Sequence, residues 1–394
     1  MKHEELVIDL AFSPDGTRLY DLRGSFCNAW EPDVLIRADD LDHDDKSSVN
    51  ETLTSEPVLA SDENSGTAIT SLACGPSALF YCAGKEDGSV TIYDMETRER
   101  LRKVTNHSTS SSVIQLEWSE TGRFLGSVDD SGRLIVKRLN APTPKKNRWA
   151  VFPVCDMRMD NNDAIEQIHF SAGEDHLLIS SSTSVCVWSL KAKDEVCRST
   201  LSPSGGIWLN HPRSSASIVL IIGIGELHYG WHDLEPIAPH EQSPGAMDGQ
   251  VSTEPREKIQ KVVQIGKKWL LMEVISDSYQ ENASPQRHFD LLDLAAIELD
   301  PNPGQQRTSR YIVKGLNDYI RELIGCSQDR VVFLDHQFWV CTWEVEPNYT
   351  THKRHFFLPK DWINPTTLKM VLLNNHGTIL YPKGGDVAIL KSDI

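Results

Sequence analysis

The sequence predicts an all-β propeller, a ring of small antiparallel sheets, or blades, packed side by side around an axis. Short segments in which apolar and polar residues alternate recur along the chain, and turn-forming Pro, Asp and Gly residues separate them. These segments group into cycles that begin near residues 6, 68, 112, 164, 205, 258, 316 and 367. Such a repeat is typical of a propeller. We therefore predict one domain over residues 1–394 with eight four-stranded blades, or seven if a degenerate cycle does not close.

The first cycle shows how each blade is recognised. Residues 6–13 alternate like a half-buried strand, and Ser13-Pro14-Asp15-Gly16 supplies a turn. Three further short strands are predicted at 18–22, 27–30 and 34–36.

The second cycle is the clearest copy, with strands predicted at 68–74, 79–83, 87–94 and 100–104. The third and fourth cycles repeat this order, and the later ones do so more weakly. The last cycle ends at 386–390, its third strand, so we expect its blade to lack an outer strand. We also expect the chain to be a fragment whose upstream residues would complete the ring.

Two stretches interrupt the repeat as loop insertions. Residues 38–67 hold nine acidic residues against one Lys, and residues 237–257 are rich in Pro, Gly and charge. They account for a mean spacing of about 52 residues, against roughly 40 to 45 for a compact blade.

A blade is apolar on both faces, so only stacking against neighbours around a ring removes both faces from water. Bulky aromatic residues near the end of the third strand suit this packing, and we assign them to contacts between blades. We assign His107, Asp15 and Asp87 to structural hydrogen bonds and turns. The aromatic residues are Trp30, Tyr93, Trp188, Trp231 and Trp343.

Composition excludes several classes of function. Lys and Arg number 39 against 56 Asp and Glu, a net charge of −17, which opposes binding to nucleic acid. The basic pairs Lys145-Lys146 and Lys353-Arg354 are too short to change this. The longest apolar run, 217–225, is far shorter than the roughly 20 residues of a membrane span, and the N-terminus lacks a secretory signal. We predict a cytoplasmic protein with reduced cysteines and no membrane partner.

No pattern of residues predicts a chemical step. The sequence contains no HExxH, paired CxxC, calcium-loop or GxSxG motif. His228 and His232 would lie about 13 Å apart on a strand, too far to share a zinc ion. The adjacent carboxylates Asp129 and Asp130 are interpreted as residues of a solvated loop. We assign no catalytic residue, cofactor or metal, and predict that the protein is not an enzyme.

Phe12-Ser13-Pro14-Asp15-Gly16 and residues 87–94 resemble the WD-repeat family. Residues 12–32 and 355–362 also resemble the C-terminal propeller of fungal NACHT and WD-repeat proteins, which include vegetative-incompatibility and other signal-transducing NTPases. Such an NTPase carries a GxxxxGK[ST] loop, and this sequence has none. The resemblance therefore implies the sensing or partner-binding part of a signalling protein.

We accordingly predict a non-catalytic scaffold for protein partners. An acidic cluster in the first insertion could meet a basic partner, although a solvated loop is the simpler interpretation. Two alternatives stay open: an adaptor in a complex such as a ubiquitin ligase or a ribosome-assembly particle, and a propeller hydrolase with its site at the central channel. The acidic cluster comprises Asp39, Asp40, Asp42, Asp44 and Asp45.

Overall fold

A computed structural model describes the chain over 15 segments, and the strands within them form eight antiparallel sheets. The segments are 7–12, 19–23, 26–30, 67–142, 149–159, 163–200, 206–222, 225–237, 257–276, 286–297, 310–313, 315–345, 352–358, 363–383 and 385–391. Side chains within 7–30 are outside this description.

Every sheet is a meander in which strands adjacent in sequence pair with each other. The first sheet contains β1 (Val7–Phe12), β2 (Leu19–Arg23) and β3 (Phe26–Trp30). We name the other seven blades 1 to 7. Blade 1 contains β4 (Ile69–Cys74), β5 (Phe80–Lys85), β6 (Ser89–Asp94) and β7 (Arg100–Asn106). Blade 2 contains β8 (Val113–Trp118), β9 (Phe124–Asp129), β10 (Arg133–Asn140) and β11 (Ala150–Arg158).

Blades 3 to 5 follow in the same way. Blade 3 contains β12 (Ile165–Phe170), β13 (His176–Ser181), β14 (Val185–Ser189) and β15 (Asp194–Ser199). Blade 4 contains β16 (Ile207–Asn210), β17 (Ser217–Ile222) and β18 (Gly225–Gly230). Blade 5 contains β19 (Glu257–Ile265), β20 (Trp269–Ser276), β21 (Gln286–Asp293) and β22 (Arg310–Ile312).

Helical structure is confined to short turns in the last part of the described chain. Blade 6 contains β23 (Ile320–Ser327), β24 (Arg330–Asp335), β25 (Trp339–Glu344) and β26 (His352–Phe357). Blade 7 contains β27 (Leu372–Leu373), β28 (Ile379–Lys383) and β29 (Asp386–Leu390). The helical elements are 3₁₀ turns at Leu294–Ala296 and Leu316–Asp318 and one α-helix, α1 (Pro365–Leu368).

Seven blades form a closed ring, and the first sheet is not one of its members. Each blade contacts the next, and β27 of blade 7 contacts β4 of blade 1 directly. Tyr81 and Leu72 of blade 1 share a buried apolar cluster with Leu380 and Ile389 of blade 7. The seven-blade alternative is therefore confirmed, and the count of eight is wrong. The cycle near residue 6 does form three strands, but alternation within a sheet carries no information on whether that sheet joins the ring.

In each of the seven blades, the innermost strand begins within five residues of the start predicted for that cycle. The two largest offsets have a local cause. Residue 316 opens a 3₁₀ turn, and residue 367 lies in α1, where Asn364 caps the helix and Pro365 occupies its first turn. The predicted insertions 38–67 and 237–257 lie outside the described residues except at their ends. Blade 7 has three strands within the described residues.

Small residues let neighbouring blades approach closely. A Cβ atom at Gly84 of β5 would lie 2.7 Å from Val113 Cγ1 of blade 2, and one at Gly126 of β9 would lie 2.7 Å from Ile168 Cδ1 of blade 3. The Thr70 hydroxyl of blade 1 also donates a hydrogen bond to the Val113 carbonyl at 2.7 Å. Apolar packing and hydrogen bonds from side chains to the backbone thus join consecutive blades.

Candidate partner-binding site

His107 occupies the connection from β7 to β8 and is completely enclosed. Its Nδ1 lies 3.0 Å from Asp129 Oδ2, and its Nε2 lies 2.8 Å from Ser127 Oγ. A carboxylate can only accept, so we assign the imidazole proton to Nδ1. Burial lowers the pKa of His107, and the nearby Asp129 carboxylate only partly offsets this effect. The ring is therefore a neutral group that ties the β7–β8 connection to β9 of blade 2.

Asp129 also organises the turn between β9 and β10. Its Oδ1 accepts hydrogen bonds from the backbone N–H groups of Ser131 and Arg133, each at 3.0 Å. Burial acts to raise the pKa of Asp129, but the hydrogen bonds and His107 outweigh it and leave the pKa lowered. The interpretation of Asp129 as a solvated loop residue is wrong, because its side chain is fully buried.

The same turn recurs in blade 6, where Asp335 ends β24 and accepts a hydrogen bond from Trp339 N at 2.9 Å. In blade 1, Lys85 ends β5, and Asp87 stabilises the turn from a position two residues later, where it accepts from Ser89 N at 3.0 Å. Sequence reasoning found Asp87 and missed the other two. The available signal for Asp129 and Asp335 was an Asp at the end of the second strand, followed by a tight turn.

The predicted aromatic residues whose side chains are described lie between blades. Tyr93 packs in the cluster that joins blades 1 and 7, and its ring stacks on Tyr81 with centroids 5.3 Å apart. Trp188 contacts the core between blades 2 and 3 and is half-buried. Trp231 and Trp343 are each 1% exposed, between blades 3 and 4 and between blades 5 and 6 respectively.

The remaining predicted residues cannot be placed in contact with these. Trp30 ends β3, but its side chain is not described. Asp15 lies outside the described residues. So does the whole acidic cluster of Asp39, Asp40, Asp42, Asp44 and Asp45.

Two innermost strands bring a carboxyl group and an imidazole together at the central axis. Glu117 Oε1 of β8 lies 3.9 Å from His169 Nδ1 of β12. Burial raises the pKa of Glu117 to about 7 and lowers the pKa of His169 to about 4. His169 also accepts a hydrogen bond at Nε2 from the Asn210 backbone N–H, 3.2 Å away. One imidazole nitrogen thus serves to fix blade 4 against blade 3.

A second cluster of titratable groups lies in blade 6, where Asp335, Cys341 and His352 have donor atoms within 4.8 Å of one another. The residue types could suit a zinc ion. Arg354, however, places its guanidinium 2.7 Å from Asp335 Oδ2 and supplies the positive charge there. Burial raises the pKa of the Cys341 thiol to about 12, and the Asp335 carboxylate adds to this. We therefore assign the cluster to an ion pair and core packing.

The outer strand of blade 1 has a different character. Four consecutive residues of β7 are exposed, and three of them are basic: Arg100, Arg102 and Lys103. Leu101 between them is 39% exposed. The strand lines a shallow groove of about 550 Å³ on the outer face of the blade. Sequence reasoning considered two other basic pairs and missed this group, although three cations within one predicted strand were visible.

Within the described residues, no helix is long and apolar enough to span a membrane.

Comparison with known proteins gives distant likenesses. A segment of 129 residues is 29% identical to eukaryotic translation initiation factor 3 subunit I of Pyricularia oryzae and covers 32% of this chain and 36% of that protein. A segment of 126 residues is 26% identical to pre-mRNA-processing factor 19 of Dictyostelium discoideum and covers 32% of this chain and 23% of that protein. This chain is a seven-bladed β-propeller that is similar in sequence to these two proteins over about a third of its length. The matched segments span about a third and a quarter of the two relatives.

No family model matches the chain. Among solved structures, that of U3-55K is similar at a TM-score of 0.46 and 13% identity, covering 80% of this chain and 88% of that chain.

Proposed function

We propose that this WD-repeat-like propeller is a non-catalytic scaffold that binds protein partners in the cytoplasm. The observation that carries the proposal is the exposed stretch of β7, in which Arg100, Leu101, Arg102 and Lys103 all face solvent on a rigid blade. Surfaces held rigidly by a scaffold are common sites of docking, since little ordering is needed on binding. Arg and exposed apolar groups together are also typical of protein interfaces.

Several buried polar side chains among the described residues bind partners within the fold, which supports a scaffold role. His107 bridges Asp129 and Ser127, and Arg354 neutralises Asp335. Among the described residues, the Glu117 and His169 pair would serve a propeller hydrolase best, since a neutral imidazole could act as a base. Its hydrogen bond to the next blade favours a structural role instead.

More specifically, we propose that the chain is the sensor or partner-binding part of a NACHT-type signalling protein. A partner that binds the released state more tightly than the repressed state would shift the population toward release. The rival is a constitutive adaptor, and the word "subunit" in the name of one relative favours it. Sequencing the transcript upstream of the Met1 codon separates the two, because an in-frame NACHT domain is expected only for the signalling protein.

The scaffold role is tested by capturing the full chain from extracts of its source cells and sizing the complex. We expect one or more proteins to co-elute with it in fixed stoichiometry through size-exclusion chromatography. The doubly substituted Arg102→Glu, Lys103→Glu chain is the matched comparison, and we expect it to lose at least one of them. A wild-type chain that elutes free of any stoichiometric protein would contradict the proposal.

A further inference from the structure

The outer edge of blade 1 is an open strand edge within the described residues. The strands of the blade pair in the order β4-β5-β6-β7, so β7 has a partner on one side only. The backbone N–H and C=O groups on its other side can pair with an added strand. β7 is seven residues long, which is long enough to hold a peptide in register.

Irregular pairing displays more of β7 than a regular strand would. The register against β6 shifts twice, between Val90 and Thr91 and again between Ile92 and Tyr93. The extra residues on β7 are Leu101 and Val104. Each shift breaks the inward and outward alternation, so residues 100–103 are all exposed while Val104 is buried. The edge therefore offers cations and one apolar side chain together.

The positive charge on this edge favours an acidic partner strand over a basic one. Among the described residues, neither Arg102 nor Lys103 has a carboxylate within 4.0 Å, and the charge of Lys103 helps to lower the pKa of the Asp87 carboxyl. Like charges facing each other across strands are unfavourable, which opposes pairing with a second copy of β7 or with another basic strand. An acidic strand would instead place carboxylates opposite the guanidinium and ammonium groups.

We propose that β7 is the docking edge for an extended acidic segment of a partner protein, which adds to blade 1 as a fifth strand. Backbone hydrogen bonds hold the segment, its carboxylates pair with Arg102 and Lys103, and an apolar residue covers Leu101. This inference rests on the proposed scaffold function and names the chemistry of its partner.

The test uses the full chain and a fluorescent peptide of the same length as β7, in which two adjacent Glu residues, one for each face of the added strand, lie between Val residues. Two control peptides replace Glu with Lys or carry methyl groups on alternate backbone nitrogens. We expect fluorescence anisotropy to detect binding of the Glu peptide that weakens as salt is raised, with neither control bound. Arg102→Glu with Lys103→Glu should weaken binding by about tenfold or more, a difference of about 1.4 kcal/mol per tenfold.

Lys353→Glu is the matched control variant, because Lys353 is an exposed cation on the outer strand of blade 6. We expect it to bind the Glu peptide as the wild type does. Equal binding by the N-methylated peptide would overturn strand addition. Binding unaffected by the β7 substitutions would overturn the location.

Two other occupants give distinct results. If a short single-stranded RNA displaces the Glu peptide at lower concentration, the edge is a general polyanion site and the proposal is wrong. If the wild type does not bind but a chain with the five Asp residues of the acidic cluster changed to Asn does, the chain's own insertion holds the edge, and the proposal is again wrong. If the wild-type chain captures a partner but does not bind the Glu peptide, only this inference is rejected, whereas failure of the wild-type chain to capture any partner rejects the scaffold role.

Discussion

His107 Nδ1 lies 3.0 Å from Asp129 Oδ2, and both side chains are fully buried. The bond joins the connection between blades 1 and 2 to a turn at the end of β9. The two residues are 22 positions apart in the sequence. The pair therefore ties a loop to the interior of the next blade.

Replacing Asp129 tests this tie. We expect Asp129→Ala to lower the free energy of unfolding by about 1–3 kcal/mol more than Asp87→Ala, since both remove a turn-forming carboxylate but only Asp129 leaves a buried imidazole unpaired. Urea unfolding of the two variants gives the difference. Equal losses would show that the bond to His107 adds nothing.

The Glu117 and His169 pair predicts two opposite pH dependences of stability. The pKa of Glu117 is about 7 in the folded chain against an ordinary 4.5, so ionisation of the unfolded state makes stability fall as pH rises from about 4.5 to 7. The pKa of His169 is about 4 in the folded chain against an ordinary 6.5, so stability falls as pH drops from about 6.5 to 4.

Single substitutions separate these slopes. Relative to wild type, we expect Glu117→Gln to become more stable as pH is raised from about 5 to 7, and His169→Gln to become more stable as pH is lowered over the same range. Urea midpoints measured at both pH values provide the test. Parallel pH profiles would refute the assigned pKa directions.

Closure of the ring predicts that blade 7 has a fully buried interface with blade 1. Leu380 is completely buried there, as Leu177 is between blades 2 and 3. We expect Leu380→Ala and Leu177→Ala to cost similar amounts, each about 2–5 kcal/mol. A negligible cost for Leu380→Ala alone would mean that blade 7 has an uncovered face.

The signature tryptophans should differ in importance according to burial. We expect Trp343→Ala to cost about 3–5 kcal/mol, because its ring is enclosed between blades 5 and 6. Trp188→Ala should cost less, since that ring is half-buried. Thermal unfolding of both variants measures the order, and a reversed order would contradict the burial described here.

Strand periodicity predicted much of the ring, as in blade 1, where predicted strands at 68–74 and 79–83 correspond to β4 and β5. Alternation reports the faces of a sheet, so it located strands well. It could not report neighbours in space, which is why the first sheet was counted as a blade. The buried state of Asp129 also depends on a distant imidazole and is invisible in a local pattern.

The candidate site was less predictable. Cations at Arg100, Arg102 and Lys103 look like an ordinary solvated strand, and alternation would turn one set of side chains inward. The two register shifts against β6 bring residues 100–103 to the surface together. Such shifts arise from packing within the blade and have no signature in single-residue composition.

Deletion of residues 1–66 in combination with hydrogen exchange tests the seven-blade ring most directly. We expect amide protection of β4 to β6 and of β28 and β29 to be the same in the deleted and full chains, because blades 7 and 1 contact each other without the first sheet. Loss of protection in both regions would place the first sheet between them and contradict a ring of seven.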